Sequence, residues 1–106
     1  MTITKIKPGA CGFNTIIEAK QVAPGHVYVK VISDCESLNK LNIGIVNAME
    51  DLFGKFEDSK VYKRANECIK HVSCPVPCAI LKTVEVEAEL AVPRQVSIEI
   101  VKEEEK

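Results

Sequence analysis

Two runs rich in β-branched residues meet at Ala23-Pro24-Gly25-His26, and this turn constrains the chain more than any other feature. Pro presets φ for the second turn position, and Gly accepts the positive φ of the third. The run at residues 13–22 is rich in Ile and Thr, and residues 27–33 read Val-Tyr-Val-Lys-Val-Ile-Ser. Val27, Val29 and Val31 fall on one face by strand alternation, and Tyr28 and Lys30 on the other. The expectation is an antiparallel hairpin with strands at about 13–22 and 27–33.

Helical signals follow. Ser33 with Glu36 three residues on has the form of a capping box. Leu38, Leu41, Ile45, Met49 and Leu52 then recur at spacings of three and four, which predicts a helix over about 35–53 with Asn42 and Gly44 weakening its middle. Ser59 can cap a second helix over 59–70, whose apolar stripe is Val61, Ala65, Cys68 and Ile69. The stretch 84–90 alternates strictly and reads as either strand or helix. Ile80, Leu81, Val84, Ala88 and Ala91 share one side of a helical wheel, so length and Pro75 in the first turn favour a helix over 75–92. Glu87 is the misfit, at the edge of that apolar face, and Pro93 is the expected stop. Val96, Ile98 and Ile100 alternate with polar neighbours and predict a last strand at 95–101, before a charged tail at 102–106. The fold class is therefore α+β: a hairpin and a C-terminal strand in one antiparallel sheet, with three helices packed on one face. At 106 residues this is a single domain, 1–106.

Composition narrows the function. Lys and Arg number 14 against 15 Asp and Glu, which leaves no basic excess to neutralise phosphates, and Trp is absent. Nucleic acid is thus not the expected partner. The longest apolar run is Cys78 to Leu81, far below a membrane span, and Met1-Thr2-Ile3-Thr4-Lys5 lacks the apolar stretch of a secretory signal. A cytoplasmic protein is expected, with neither membrane nor nucleic acid among its partners.

Five cysteines in 106 residues stand out, and they have three explanations. A disulfide framework calls for an oxidising compartment and usually an even count. Plain burial treats each Cys as a small hydrophobe. Ligation of a metal or cluster needs several thiolates brought together in space. Cys11 lies just before the hairpin, flanked by Gly9 and Gly12, and Cys35 just after it at a helix start, so the open ends of the hairpin can bring the two together. Cys74 stands at another helix start, where free N–H groups and partial positive charge favour a thiolate. Cys68 and His71 precede it as Cys68-x-x-His71-x-x-Cys74, and Cys78 follows one helical turn later beside Ala79, Ile80 and Leu81.

From Cys11 to Ala79 the chain resembles two related small domains. Ala10-Cys11-Gly12, then Cys35, then Cys74 follow the order and closely similar spacing of the U-type iron–sulfur scaffold domain (NifU N-terminal-like). Ser73-Cys74-Pro75 matches the middle of the motif that names the four-cysteine TSCPD domain, with Cys68 near the place of its third cysteine. Phe13 stands where the scaffold has an Asp that assists the cluster, and Ser73 where it has a His. Val72 and Val76 replace the Thr and Asp of the TSCPD motif.

The leading expectation is a small cysteine-cluster domain that binds zinc or an iron–sulfur centre, in a scaffold or carrier role toward a partner protein. Cys11, Cys35 and Cys74 are the core ligands, Cys68 the fourth, and His71 and Cys78 second choices for that place. Their sulfurs should then lie within a few Å of one another. The alternative is a non-catalytic protein-interaction module with reduced, partly buried cysteines, and a homo-oligomer fits either. A thiol enzyme would use His71 as base, but no Asp or Asn can be paired with it from sequence, so a non-enzymatic role is expected.

Overall fold

The computed structural model describes residues 1–104. Four strands, β1 (Thr2–Ile6), β2 (Thr15–Ala23), β3 (His26–Ser33) and β4 (Gly44–Asn47), pair antiparallel in that spatial order. Helices α1 (Glu36–Asn39), α2 (Ala48–Leu52), α3 (Lys60–Cys68) and α4 (Val76–Glu87), with a 3-10 turn at Phe56–Asp58, complete an α+β fold. The hairpin of β2 and β3 forms as expected, with Gly25 at φ +73° and Ala23 opposite His26.

Strand alternation sorts the sheet into two faces. Thr15, Ile17 and Ala19 of β2, Val27 and Val29 of β3, and Val46 of β4 are buried beneath the helices. Across from them α4 presents Val76, Ile80, Thr83 and Val84, which helical spacing puts on one stripe. Each fully buried Ile or Val of this set contributes about 1.5–3 kcal/mol by leaving water. The other face of the sheet is open and carries Ile3, Ile16, Tyr28, Ile32 and Ile45 among lysines.

Polar contacts fix how α4 lies. Thr83 Oγ1 is 2.7 Å from the carbonyl of Ala79 and 2.6 Å from Thr4 Oγ1 on β1. Glu87, the misfit of the apolar stripe, accepts from Thr2 Oγ1 at 2.7 Å and from the backbone N–H of Gln21 at 2.8 Å, with the Met1 amino group 3.7 Å away. One carboxylate thus ties the end of α4 to both β1 and β2. The Gln21 N–H, then the Thr2 hydroxyl and the Met1 amino group hold its carboxyl below the ordinary value against the opposing effect of burial.

Several expected elements differ. The helix expected over 35–53 is divided into α1, β4 and α2. α1 ends at Asn39, Asn42 beyond it adopts φ +43°, which a continuing helix does not allow, and β-branched Ile45 and Val46 pair with Tyr28 and Val27 of β3. Leu38 and Leu41 stay in the core, while Ile45 and Met49 of the same stripe are exposed. Ser33 does not cap α1; it ends β3, where its hydroxyl bonds Thr15 Oγ1 at 2.7 Å, and Cys35 takes the cap position. The helix expected over 59–70 is α3, capped by Ser59 as anticipated, and it ends at Cys68.

The helix expected over 75–92 runs from Val76 to Glu87 and so includes the ambiguous residues 84–87. It stops short of Pro93 because Leu90 N–H bonds the Glu85 carbonyl (2.8 Å) and Glu89 N–H the Val86 carbonyl (3.0 Å), with Glu89 at φ +62°. That pattern is a Schellman ending, whose left-handed residue is usually glycine.

No strand forms at 95–101. The place beside β2 is taken by β1, and residues 95–101 pair with neither β1 nor β4, the two edges of the sheet. β1 has an inverted pattern for a sheet edge, with Thr2 and Thr4 facing the helix to meet Glu87 and Thr83 while Ile3 faces solvent. The charged tail expected at 102–106 is described as far as Glu104; residues 105–106 lie outside the described residues.

Two outcomes follow from these end contacts. Replacing Glu87 with Ala should cost about 1–3 kcal/mol at neutral pH, since two hydrogen bonds to a charged acceptor are lost. The contribution is full above the unfolded carboxyl pKa and vanishes as pH falls through the lower folded value, so denaturation curves of wild type and Glu87→Ala should converge in acid. Glu89→Gly should stabilise the protein by about 1 kcal/mol in the same assay, because glycine adopts the left-handed conformation without a Cβ penalty.

Candidate metal centre

The topology delivers three cysteines to one end of the sheet. Thr15 opens β2 and is paired with both Ile6, the end of β1, and Ser33, the end of β3. Cys11 precedes this row by four residues, and Cys35 follows it by two. The ladder extends one step beyond it, with Asp34 N–H bonding the Asn14 carbonyl at 3.3 Å. Because Glu87 meets Thr2 and Thr83 meets Thr4, α4 runs antiparallel to β1, and its N-terminus reaches the same end with Cys74 ahead of it.

Each cysteine has a different local support. Cys11 is exposed in the turn Gly9-Ala10-Cys11-Gly12, closed by a 3.0 Å bond from Gly12 N–H to the Gly9 carbonyl. Both glycines have positive φ, +89° and +71°, so this turn is built from residues free to take that path. Cys35 is half-buried and rigidly held. Its N–H bonds Ser33 Oγ at 3.0 Å, and the Asn39 side chain bonds both the N–H and the carbonyl of Ser33.

Cys74 is half-buried, and its backbone N–H is 3.4 Å from the His71 carbonyl. Burial pushes its thiol pKa up, the Val76 N–H at the start of α4 pulls it down, and the sulfurs of Cys11 and Cys35 push it up again. The helix terminus therefore acts on this thiol in the expected direction but is outweighed, and the net shift is upward.

The remaining candidates lie elsewhere around this end. Cys68, the last residue of α3, directs its sulfur to the Lys40 carbonyl at 3.6 Å. Lys40 is at the far end of α1 from Cys35. Arg64 of α3 bonds the same carbonyl at 2.9 Å and that of Leu41 at 2.8 Å, so α3 closes the C-terminus of α1. Cys78 is exposed and near Tyr62, whose phenol is raised first by burial and then by that sulfur. His71 is exposed and lines a cleft of about 610 Å³ together with Cys74, Phe56, Tyr62, Ile69 and Val72.

Phe56 and Tyr62 meet edge to face in that cleft, with ring centroids 5.3 Å apart. No sequence pattern singled them out, although two of the five aromatic residues lie on either side of the Ser59 cap. Among the described residues no group of three or more His, Cys, Asp or Glu side chains is drawn tightly enough to hold a metal ion. The expected gathering of Cys11, Cys35, Cys74 and Cys68 into one ligand set is therefore not found among the described residues.

The family model that matches the chain covers residues 2–100, all five cysteines included, and is described as a family of unknown function, DUF6951. The chain belongs to DUF6951. No curated protein and no solved structure matches it. Among the described residues of this DUF6951 member no helix is long and apolar enough to cross a membrane.

The thiol environments predict an order of reactivity. Exposed Cys11 and Cys78 should be alkylated by iodoacetamide ahead of Cys74 at mildly alkaline pH, read by mass spectrometry of the peptides. The doubly substituted variant Cys11→Ser/Cys35→Ser should shift the pH dependence of Cys74 alkylation downward, because two like charges are removed. An unchanged profile would mean that the three thiols do not interact.

Proposed function

We propose that this DUF6951 member is a small cysteine-cluster domain that binds zinc or an iron–sulfur centre, as a scaffold or carrier that passes metal or cluster to a partner protein. The observation that carries the reading is the arrival of three thiols, from three separate segments, at one end of the sheet. Ligation deprotonates such thiols, and a bound cation stabilises the charge they then carry. The donor set fits soft thiolate-preferring metals. The order Ala10-Cys11-Gly12, Cys35, Cys74 resembles the iron–sulfur scaffold domain and supports the same ligands.

Ligation on this reading requires closure. Cys35 and Cys74 sit on held backbone, while Cys11 sits in an exposed turn bounded by two positive-φ glycines, so Cys11 is the ligand that swings in. Cys68 supplies the fourth sulfur by leaving the Lys40 carbonyl, with His71 and Cys78 as alternatives that share the neighbourhood of Tyr62 and the cleft. A bound cluster beside an exposed turn is reachable by an acceptor protein, which a transferable cluster needs. A reduced thiol set of this kind suits a reducing compartment, and the cytoplasm is the proposed location.

A second reading has its own support. Cys35, Cys68 and Cys74 all pack against the apolar core, as cysteines do when they serve only as small hydrophobes in an interaction module.

Metal analysis after anaerobic purification separates the two. The first reading expects either a brown protein absorbing in the visible range or a colourless one with about one zinc per chain. Cys11→Ser, Cys35→Ser and Cys74→Ser should each lower the metal content sharply, and Cys78→Ser should leave it. A chain that folds stably without metal, from cells supplied with iron and zinc, would remove the first reading.

A further inference from the structure

We propose that the cleft of about 610 Å³ beside α3 binds a small organic anion with a flat ring, an aromatic carboxylate or a nucleoside monophosphate. This site goes beyond the metal centre and does not depend on it. The volume lies in the range of clefts that take small molecules. One wall is a single face of α3, where Tyr62 and Ala65 are followed four residues later by Asn66 and Ile69. The 3-10 turn before the helix supplies Phe56, and the connection to α4 supplies Lys70 and Val72. From Tyr62 to Ile69 the wall is about 10 Å long, with a turn at either end. That shape suits a compact molecule better than an extended segment of another protein.

Both ends of the cleft are preformed. At the first, Asp58 N–H bonds the Lys55 carbonyl at 3.1 Å and Ser59 N–H the Phe56 carbonyl at 3.2 Å, and Ser59 Oγ then caps α3. At the second, Ile69 N–H bonds the Ala65 carbonyl at 2.8 Å and Cys74 N–H the His71 carbonyl at 3.4 Å. The Phe56 ring is 76% exposed, yet its edge-to-face contact with Tyr62 fixes its orientation. A ring that does not enter the core is thus held at the mouth of the cleft, where a second flat ring can pack on it. Val72, fully exposed, adds apolar surface beyond the other end of the helix.

Charge selects an anion. Two lysines, Lys63 and Lys70, line the cleft against one carboxylate, Glu57. Neither lysine is ion-paired among the described residues, whereas Arg64 and Lys82 each have a glutamate partner. Both ammonium groups are therefore available to a carboxylate or phosphate, to which they bring three donors each. The chain as a whole carries a formal charge of −1, so the cationic lining is a local feature and not a reflection of composition. Apolar ring surface beside unpaired cations is the complement of a flat ring that bears an anionic group.

The test is fluorescence titration of the full chain with 1-anilinonaphthalene-8-sulfonate, a flat-ring anion, beside N-phenyl-1-naphthylamine, which lacks the sulfonate. The wild type should bind about one sulfonate probe per chain and the neutral analogue more weakly. Phe56→Ala should raise the dissociation constant roughly tenfold and Lys70→Glu roughly fivefold, with unchanged far-UV circular dichroism. Ile16→Lys, on the open face of the sheet where the other exposed apolar cluster lies, should leave it unchanged. Indole-3-acetate and adenosine 5′-monophosphate then compete for the bound probe. Displacement by the first marks a carboxylate site and by the second a phosphate site, and either supports the proposal. No saturable binding overturns it, as do equal binding of the neutral analogue, binding that only Ile16→Lys weakens, and a bound probe that neither anion displaces.

Discussion

Everything in this fold depends on α4 lying across the buried face of the β2–β3 hairpin. The hairpin cannot be stable alone, because one of its faces is a row of Ile, Ala and Val that must leave water. Val76, Ile80 and Val84 cover that row, and Thr83 and Glu87 set the direction in which the helix runs. With α4 anchored at its C-terminal end to β1 and β2, its N-terminal end has one place to go. That place is the row Ile6–Thr15–Ser33, where Cys11 and Cys35 also emerge. The arrangement of the cysteines is therefore a consequence of how the core is closed.

The same closure explains the electrostatics of the site. Cys74 is drawn under the edge of the helix layer, and burial there disfavours its thiolate. The Val76 N–H opposes this, as a helix start should, yet one hydrogen bond does not offset desolvation together with two sulfurs of like charge. The cleft that Cys74 shares with His71, Phe56 and Tyr62 leaves the other side of the sulfur approachable.

The two ends of the hairpin were legible because Pro24-Gly25 and strand alternation are local signals that tertiary contacts reinforced. The placement of Cys11, Cys35 and Cys74 at element ends was legible for the same reason, as two flank the hairpin and the third precedes a helix. Other features were hidden by competing patterns. Leu38, Leu41, Ile45, Met49 and Leu52 carry a helical period, but pairing with β3 overrides it at Ile45 and Val46. β1 was obscured because two of its three helix-facing residues, Thr2 and Thr4, are threonines, which are polar in sequence and satisfied only once Glu87 and Thr83 stand opposite. The misfit of Glu87 in an apolar stripe was visible from the start, and its meaning as a clamp required knowing what lay across from it.

The sequence by itself determined the α+β class, the central hairpin, the capped start of α3, the helical character of the stretch after Pro75 and the clustering of cysteines at element ends. These rest on dihedral preferences and hydrophobic periods that act over a few residues. Only the tertiary structure decided that 44–47 would be a strand, that 95–101 would have no partner within its own sheet, and that Cys68 would turn to Lys40. In each case the outcome depends on residues far away in the chain, whose groups come into reach only when the sheet and helices have packed.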